Sequence, residues 1–218
     1  MREVQDHFFR LAKEEGFRSR AAYKLMEIDE RKRVLRRGDR VLDAGAAPGS
    51  WAQVAVKKVG DRGVVWAVDL KSIERSGYPS NVRLVQADLG EIELSEIGGE
   101  RFDVLLSDMA PNTTGDPSGD HFLSVRLCDM LLDRAADWLR RGGNLVMKVF
   151  EGQEYPTLLK RCARLFDEAK GFKPKASRSE SVEMFIVCHG YRGPRQDKPQ
   201  PGDEILPKRK PSSGWKTE

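Results

Sequence analysis

The chain has no run of about 18 apolar residues, so no transmembrane helix is expected. No apolar signal segment opens it, and Glu3 and Asp6 argue against a mitochondrial transit peptide. Cysteine is scarce. Cys128, Cys162 and Cys188 are far apart, form no CxxC and are odd in number. That disfavours a disulfide framework and points to a reducing, cytoplasmic setting. The three histidines, His7, His121 and His189, show no metal-ligand spacing, so no metal is expected. Two glycine signatures are missing as well. The phosphate loop GxxxxGK[ST] is absent, and from Gly45 the residues run GAAPGS, without the second glycine of GxGxxG. A dehydrogenase is therefore a distant reading.

Charge is abundant, at 33% of residues with a net +4, and its placement is uneven. Residues 1–40 carry 12 Lys/Arg against 8 Asp/Glu, residues 190–218 carry 7 against 4, and the middle carries 19 against 22. Positive charge at both ends suits a polyanion, although solvated surface charge explains it equally well. With 218 residues the chain is long enough for one α/β domain plus short extensions.

Residues 3–15 and 19–33 read as helices; in the second, Ala21, Leu25, Ile28 and Lys32 share one side. Past Gly38, apolar runs alternate with amphipathic stretches. Strands are expected at Arg40–Ala44, Val64–Leu70, Val82–Gln86, Phe102–Asp108 and Asn144–Phe150, and helices at Ser50–Val59, Gly119–Leu139 and Tyr155–Ala169. Such alternation implies a mostly parallel sheet with helices on both faces and its ligand edge at the strand C-termini. Gly171–Lys175 and Glu183–His189 read as two strands whose connection is too short for a helical crossover, so the last strand should run antiparallel. This divides the chain into a basic helical extension (1–37), an α/β domain (38–190) and a Gly/Pro/Lys-rich disordered tail (191–218).

The loop VLDAGAAPGSW ends a strand at Asp43 and turns through Gly45 and Gly49 into a helix. An acidic residue before the first glycine suits a cationic amino-acid ligand better than a pyrophosphate. Asp69 ends the second strand, where a carboxylate can hold ribose hydroxyls, and Asp88 follows the third, within reach of an adenine. Either aspartate alone could simply cap its loop; together, in this order, the features point to S-adenosylmethionine (SAM).

Four further polar residues stand out. Asp108 ends the buried strand FDVLLSD, and Lys148 interrupts the apolar run LVMKVF, where a lysine is costly unless paired or functional. Glu183 opens the reversed strand, which places it at the ligand edge, though a surface carboxylate at a strand start fits too. Lys24 lies in the second helix, and read alone it is a solvated helix lysine.

The motifs DAGAAPGSW, SDMAPN, MKVF and SRSESVEMFIV, with YKL before them, resemble the FtsJ-like family of bacterial heat-shock ribosomal RNA 2′-O-ribose methyltransferases. The similarity runs from about Arg18 to Gly190. It implies a Rossmann-like SAM-dependent methyltransferase fold, with seven strands, one of them antiparallel. It also implies a catalytic Lys-Asp-Lys-Glu tetrad, here Lys24, Asp108, Lys148 and Glu183, with Lys148 as candidate proton acceptor. The implied cofactor contacts fall on Gly49, Trp51, Asp69, Asp88 and Asp108, beside Asp43 and Gly45 from the loop itself. This chain has PGSW where many relatives have PGGW. The implied substrate is a uridine of 23S ribosomal RNA in the large ribosomal subunit, and the implied enzyme is a cytoplasmic monomer needing no metal. Transfer RNA or an mRNA cap as substrate, and a non-catalytic RNA-binding assembly factor, are the alternatives.

Overall fold

The computed structural model describes residues 2–177 and 181–193. Two helices, α1 (Arg2–Glu14) and α2 (Ala21–Lys32), precede the sheet. Then follow β1 (Arg40–Ala44), α3 (Ser50–Val59), β2 (Val64–Asp69), β3 (Val82–Gln86), β4 (Phe102–Ser107), α4 (Pro117–Trp138), β5 (Leu139–Phe150), α5 (Tyr155–Leu165), β6 (Phe166–Phe172) and β7 (Glu183–Tyr191). The seven strands form one sheet in the order β3-β2-β1-β4-β5-β7-β6. Only β7 is reversed, pairing antiparallel with both β5 and β6.

Side chains on successive strand residues point to opposite faces, and the core divides accordingly. Val41, Val104, Leu106, Val146 and Phe185 pack with α2 and α3 on one face. Leu42, Leu105, Leu145, Met147 and Ile186 pack with α4 and α5 on the other. The segment from Phe8 to Leu35 joins the first layer: Leu25, Ile28 and Val34 are fully buried there. Asp29 fixes the exit from α2, accepting the Leu35 N–H at 2.9 Å and pairing with Lys58 at 2.8 Å. Among the described residues no helix is long and apolar enough to cross a membrane.

The largest departures from the sequence reading fall at three boundaries. The helix expected through Ala169 ends at Leu165, and β6 begins at Phe166 rather than Gly171. Leu165, Phe166 and Ala169 fit either period; pairing with β7, with the Phe166 and Tyr191 rings 5.2 Å apart, settles the matter. β5 starts at Leu139 instead of Asn144, across a register shift opposite Phe102–Val104. A 3-10 turn at Leu94–Ile97, closed by a reciprocal Glu93/Glu96 capping box, was not anticipated. Of the tail, residues 194–218 lie outside the described residues, and so does the expectation of disorder there.

Candidate active site

The sheet order reverses between β1 and β4, which opens a crevice at their C-terminal ends. Period-two alternation decides what faces it. Asp43 follows Val41 on the α2/α3 face; Asp108, one residue past β4, follows Val104 and Leu106; Lys148 follows Val146; Glu183 precedes Phe185. The reversal of β7 brings its first residue to the rim where β5 ends, with Phe150 opposite Glu183. α2 then lays Lys24 over the same face.

The four tetrad residues form one chain of charge. Lys24 Nζ donates to Glu183 Oε2 at 2.8 Å. Glu183 Oε1 lies 3.8 Å from Lys148 Nζ. Lys148 Nζ is 2.9 Å from Asp108 Oδ1, an electrostatic contact without hydrogen-bond angles, and donates to the Asp108 backbone carbonyl at 2.7 Å. Lys24 and Lys148 are each only 7% exposed. Lys24 is thus not the solvated lysine that its helix position suggests. Burial opposes ionisation of Glu183, but Lys24, with help from Lys148 and the Ser181 hydroxyl, outweighs it and holds the carboxyl below its usual range. Basic and acidic side chains alternate along the chain, so each buried lysine has a carboxylate beside it, which offsets the cost of burying it.

A cavity of about 830 Å³ opens beside Asp108 and is lined by Gly45, Ala47, Asp69, Asp88, Met109 and Arg126, among others. A recess of about 90 Å³ adjoins it, bounded by Asp43, Gly45, Pro48, Ser50, Trp51 and Asp108. Asp43 is 1% exposed, and neither carboxylate oxygen has a hydrogen-bond partner, although the Ala52 amide offers a weak favourable dipole. Burial, then repulsion from Asp108 and Asp69, raises its pKa to about 8. Asp69 does cap its loop, accepting from the Ala47 and Lys71 amides at 2.9 and 2.8 Å. Asp88 accepts from the Gly90 amide at 2.8 Å. Each carboxylate keeps lone pairs free for a ligand.

The glycine turn is fixed from outside, a feature the motifs did not reveal. Arg18, counted among the basic residues of the extension, donates to the carbonyls of Pro48, Glu74 and Ser76 at 3.0, 2.6 and 2.8 Å. Its guanidinium also lies 4.5 Å from the centre of the Tyr78 ring. The Tyr78 hydroxyl, pushed by burial up to about 12, donates to the Gly49 carbonyl at 2.5 Å. Ser50, the departure from PGGW, has its hydroxyl 2.8 Å from that of Ser19. Trp51 is 2% exposed, and its indole N–H donates to the Ala21 carbonyl at 2.8 Å, so it ties α3 to α2 while bordering the recess. The helix that supplies Lys24 is therefore bound to the loop that shapes the pocket.

Gly49 has φ 108°, and a Cβ there would collide with the Tyr78 hydroxyl. Gly49→Ala should strain the backbone by about 1–3 kcal/mol and displace Tyr78. The expected result is a lower Tm together with affinity for SAM, the ligand expected from the sequence, reduced at least tenfold, read by thermal melts and calorimetric titration; unchanged SAM affinity would show that the turn tolerates a side chain.

A doubly wound sheet with a reversed β7, a glycine turn after β1 and acidic residues after β2 and β3 defines a Rossmann-like methyltransferase. Residues 17–191 match the family described as FtsJ-like methyltransferase, and the chain belongs to that family. It is 43% identical over 195 residues to "Ribosomal RNA large subunit methyltransferase E" of Methanothermobacter thermautotrophicus, covering 87% of this chain and 91% of that one. A protein of the same name from Oleidesulfovibrio alaskensis is 43% identical over 94% of this chain and all of its own. Among solved structures, a ribosomal RNA methyltransferase of Plasmodium falciparum superposes with TM-score 0.71 at 26% identity, over 81% of this chain and 100% of that one. Aeropyrum pernix fibrillarin with bound S-adenosyl-L-methionine shares the fold, with TM-score 0.55 at 18% identity, over 77% of this chain and 73% of its own.

Proposed function

We propose that this protein transfers the methyl group of SAM to a ribose 2′-hydroxyl of 23S ribosomal RNA, at a uridine of the large ribosomal subunit. The observation that carries the reading is the Lys24–Glu183–Lys148–Asp108 chain at the mouth of the cavity, two buried lysines alternating with two half-buried carboxylates. The names of the relatives support the substrate.

The pocket fits the donor. Asp43 presents two buried oxygens that lack partners, suited to a cationic amino group. Gly45 and Gly49 leave the approach clear of side chains, with Trp51 at its border. Asp69 stands where ribose hydroxyls would lie and Asp88 where an adenine would. When bound, SAM supplies an electrophilic methyl on a positive sulfur, so the leaving group needs no acid.

The protein's own task is alignment and proton removal. Orienting the hydroxyl towards the methyl is worth up to about 7–11 kcal/mol in the best model systems. Lys148 Nζ accepts the 2′-hydroxyl proton, and as acceptor it must enter the step neutral. Asp108 and Glu183 fix the direction of that nitrogen from two sides, and Lys24 holds Glu183 in place. No step calls on a metal ion. The exposed Arg31, in the last turn of α2, and Arg33, Arg36 and Arg37 just beyond it would contact RNA phosphates. The enzyme acts as a cytoplasmic monomer, where its ribosomal substrate resides.

Incubating the protein with SAM and large subunits from a strain deleted for its gene tests this, with mass mapping of the RNA. One new 2′-O-methyl group in 23S RNA is expected, with affinity falling steeply as salt rises. Methylation confined to transfer RNA or caps, or SAM binding without transfer to any RNA, would overturn it.

A further inference from the structure

β4 ends at Ser107, which pairs with Met147, while β5 continues to Phe150. Lys148–Phe150 therefore run past their parallel neighbour, and the peptide groups on that side need other partners. Three polar side chains on the buried face of α4 supply them. Cys128 Sγ donates to the Lys148 carbonyl at 3.1 Å. Ser124 Oγ accepts from the Phe150 N–H at 3.0 Å. His121 Nδ1 lies 2.8 Å from the Phe150 carbonyl. Positions 121, 124 and 128 follow one stripe of the helix, and all three are buried.

The partners dictate the imidazole's tautomer. A carbonyl only accepts, so Nδ1 carries the hydrogen; the Glu154 N–H only donates, at 2.9 Å, so Nε2 is bare. The Ser124 hydroxyl gives its own hydrogen to the His121 carbonyl at 2.7 Å, leaving a lone pair for Phe150. A Cβ at Gly152 would meet the His121 ring, so the loop after β5 is seated directly on it. An apolar α4 face would pack against the strand equally well, but would leave the Phe150 N–H and C=O unpaired.

We infer that His121, Ser124 and Cys128 form a polar seam that positions Lys148 through the backbone of β5. They are positioning residues: none of them touches Asp108, Glu183 or the Lys148 amine among the contacts described. The inference rests on the role of Lys148 proposed above. It matters because a displacement of about 1 Å at a reacting group can lower the rate by roughly 100-fold.

Three substitutions at one position test it. Asparagine at 121 keeps an N–H near the place of Nδ1 and so the bond to the Phe150 carbonyl; glutamine and alanine do not. With large subunits as substrate, kcat should fall about 10- to 100-fold in His121→Ala and His121→Gln and recover largely in His121→Asn. Donor Kd should stay within about twofold throughout, because the seam lies outside the donor pocket. Lysine ¹³Cε resonances of the donor-free protein read Lys148 without any turnover; its signal should move in His121→Ala and return in His121→Asn. Ser124→Ala, nearly isosteric, should move it too, and serves if the histidine variants fold poorly. A wild-type protein inert on RNA, with Lys148 responding as described, would sink the functional reading and leave the seam standing. A Lys148 signal indifferent to both positions, or kcat losses that follow Tm without recovery in asparagine, would overturn the inference.

Discussion

Replacing Lys148 with alanine should lower kcat for methyl transfer by about 10²–10⁴-fold, the usual worth of a positioned general base, while donor affinity stays within about twofold. Lys148 touches Asp108 and Glu183 but is not among the residues lining either the cavity or the recess. Losses in binding and in transfer are therefore expected to separate at this residue. Lys148→Arg sharpens the test. A guanidinium keeps the charge and the donors but cannot lose its proton in a protein. If Lys148 takes the hydroxyl proton, arginine is as inactive as alanine; substantial activity with arginine would recast its role as electrostatic stabilisation of the oxygen. Single-turnover kinetics and calorimetric titration of the donor provide the two measurements. Full activity in Lys148→Ala would remove the residue from the chemistry.

Asp43→Asn should do two opposite things: weaken donor binding and stabilise the donor-free protein at alkaline pH. A hydrogen bond to a charged partner is worth about 1.5–3 kcal/mol, so donor Kd should rise roughly 10- to 100-fold. The stability effect follows from the raised pKa. Burial pushes the Asp43 carboxyl up to about 8 in the folded protein, from the ordinary 3.8 of an exposed aspartate. Between those values the folded state holds a proton that the unfolded state has lost, so stability falls as pH rises through this window. Below about pH 4 the wild type carries no penalty; above about pH 8 it carries all of it. The Tm advantage of asparagine should therefore be small at pH 4–5, widen towards pH 8 and then level off. A constant Tm difference across pH would show that Asp43 is not buried unpaired, and unchanged donor affinity would show that it does not meet the donor.

Much of this was legible along the chain because its signals are local. The apolar runs that became β1, β2, β3 and the ends of β4 and β5 were placed within a residue at their functional termini. A lysine within LVMKVF and an aspartate closing FDVLLSD are anomalies that any strand assignment exposes. The short link before Glu183 required a reversed strand, which the sheet contains. Where two periods fitted the same residues, at Leu165–Ala169, reading from sequence failed, since only pairing with β7 distinguishes them.

The sequence by itself determined the alternation of strand and helix, and with it the sheet, the edge where the strands' C-termini gather and the polar residues set there against the apolar pattern. Tertiary structure alone decided which of those residues meet. Lys24 and Glu183 are 159 positions apart, and nothing in a helix of ordinary spacing marks this lysine from a solvated one. Arg18, Ser19 and Tyr78 look like surface residues until the docking of the extension sets them around the glycine turn. Periodicity is a property of neighbours along the chain. Pairing of buried charges depends on the order of strands across the sheet and on where a helix comes to rest, and both are settled by burial of the whole core.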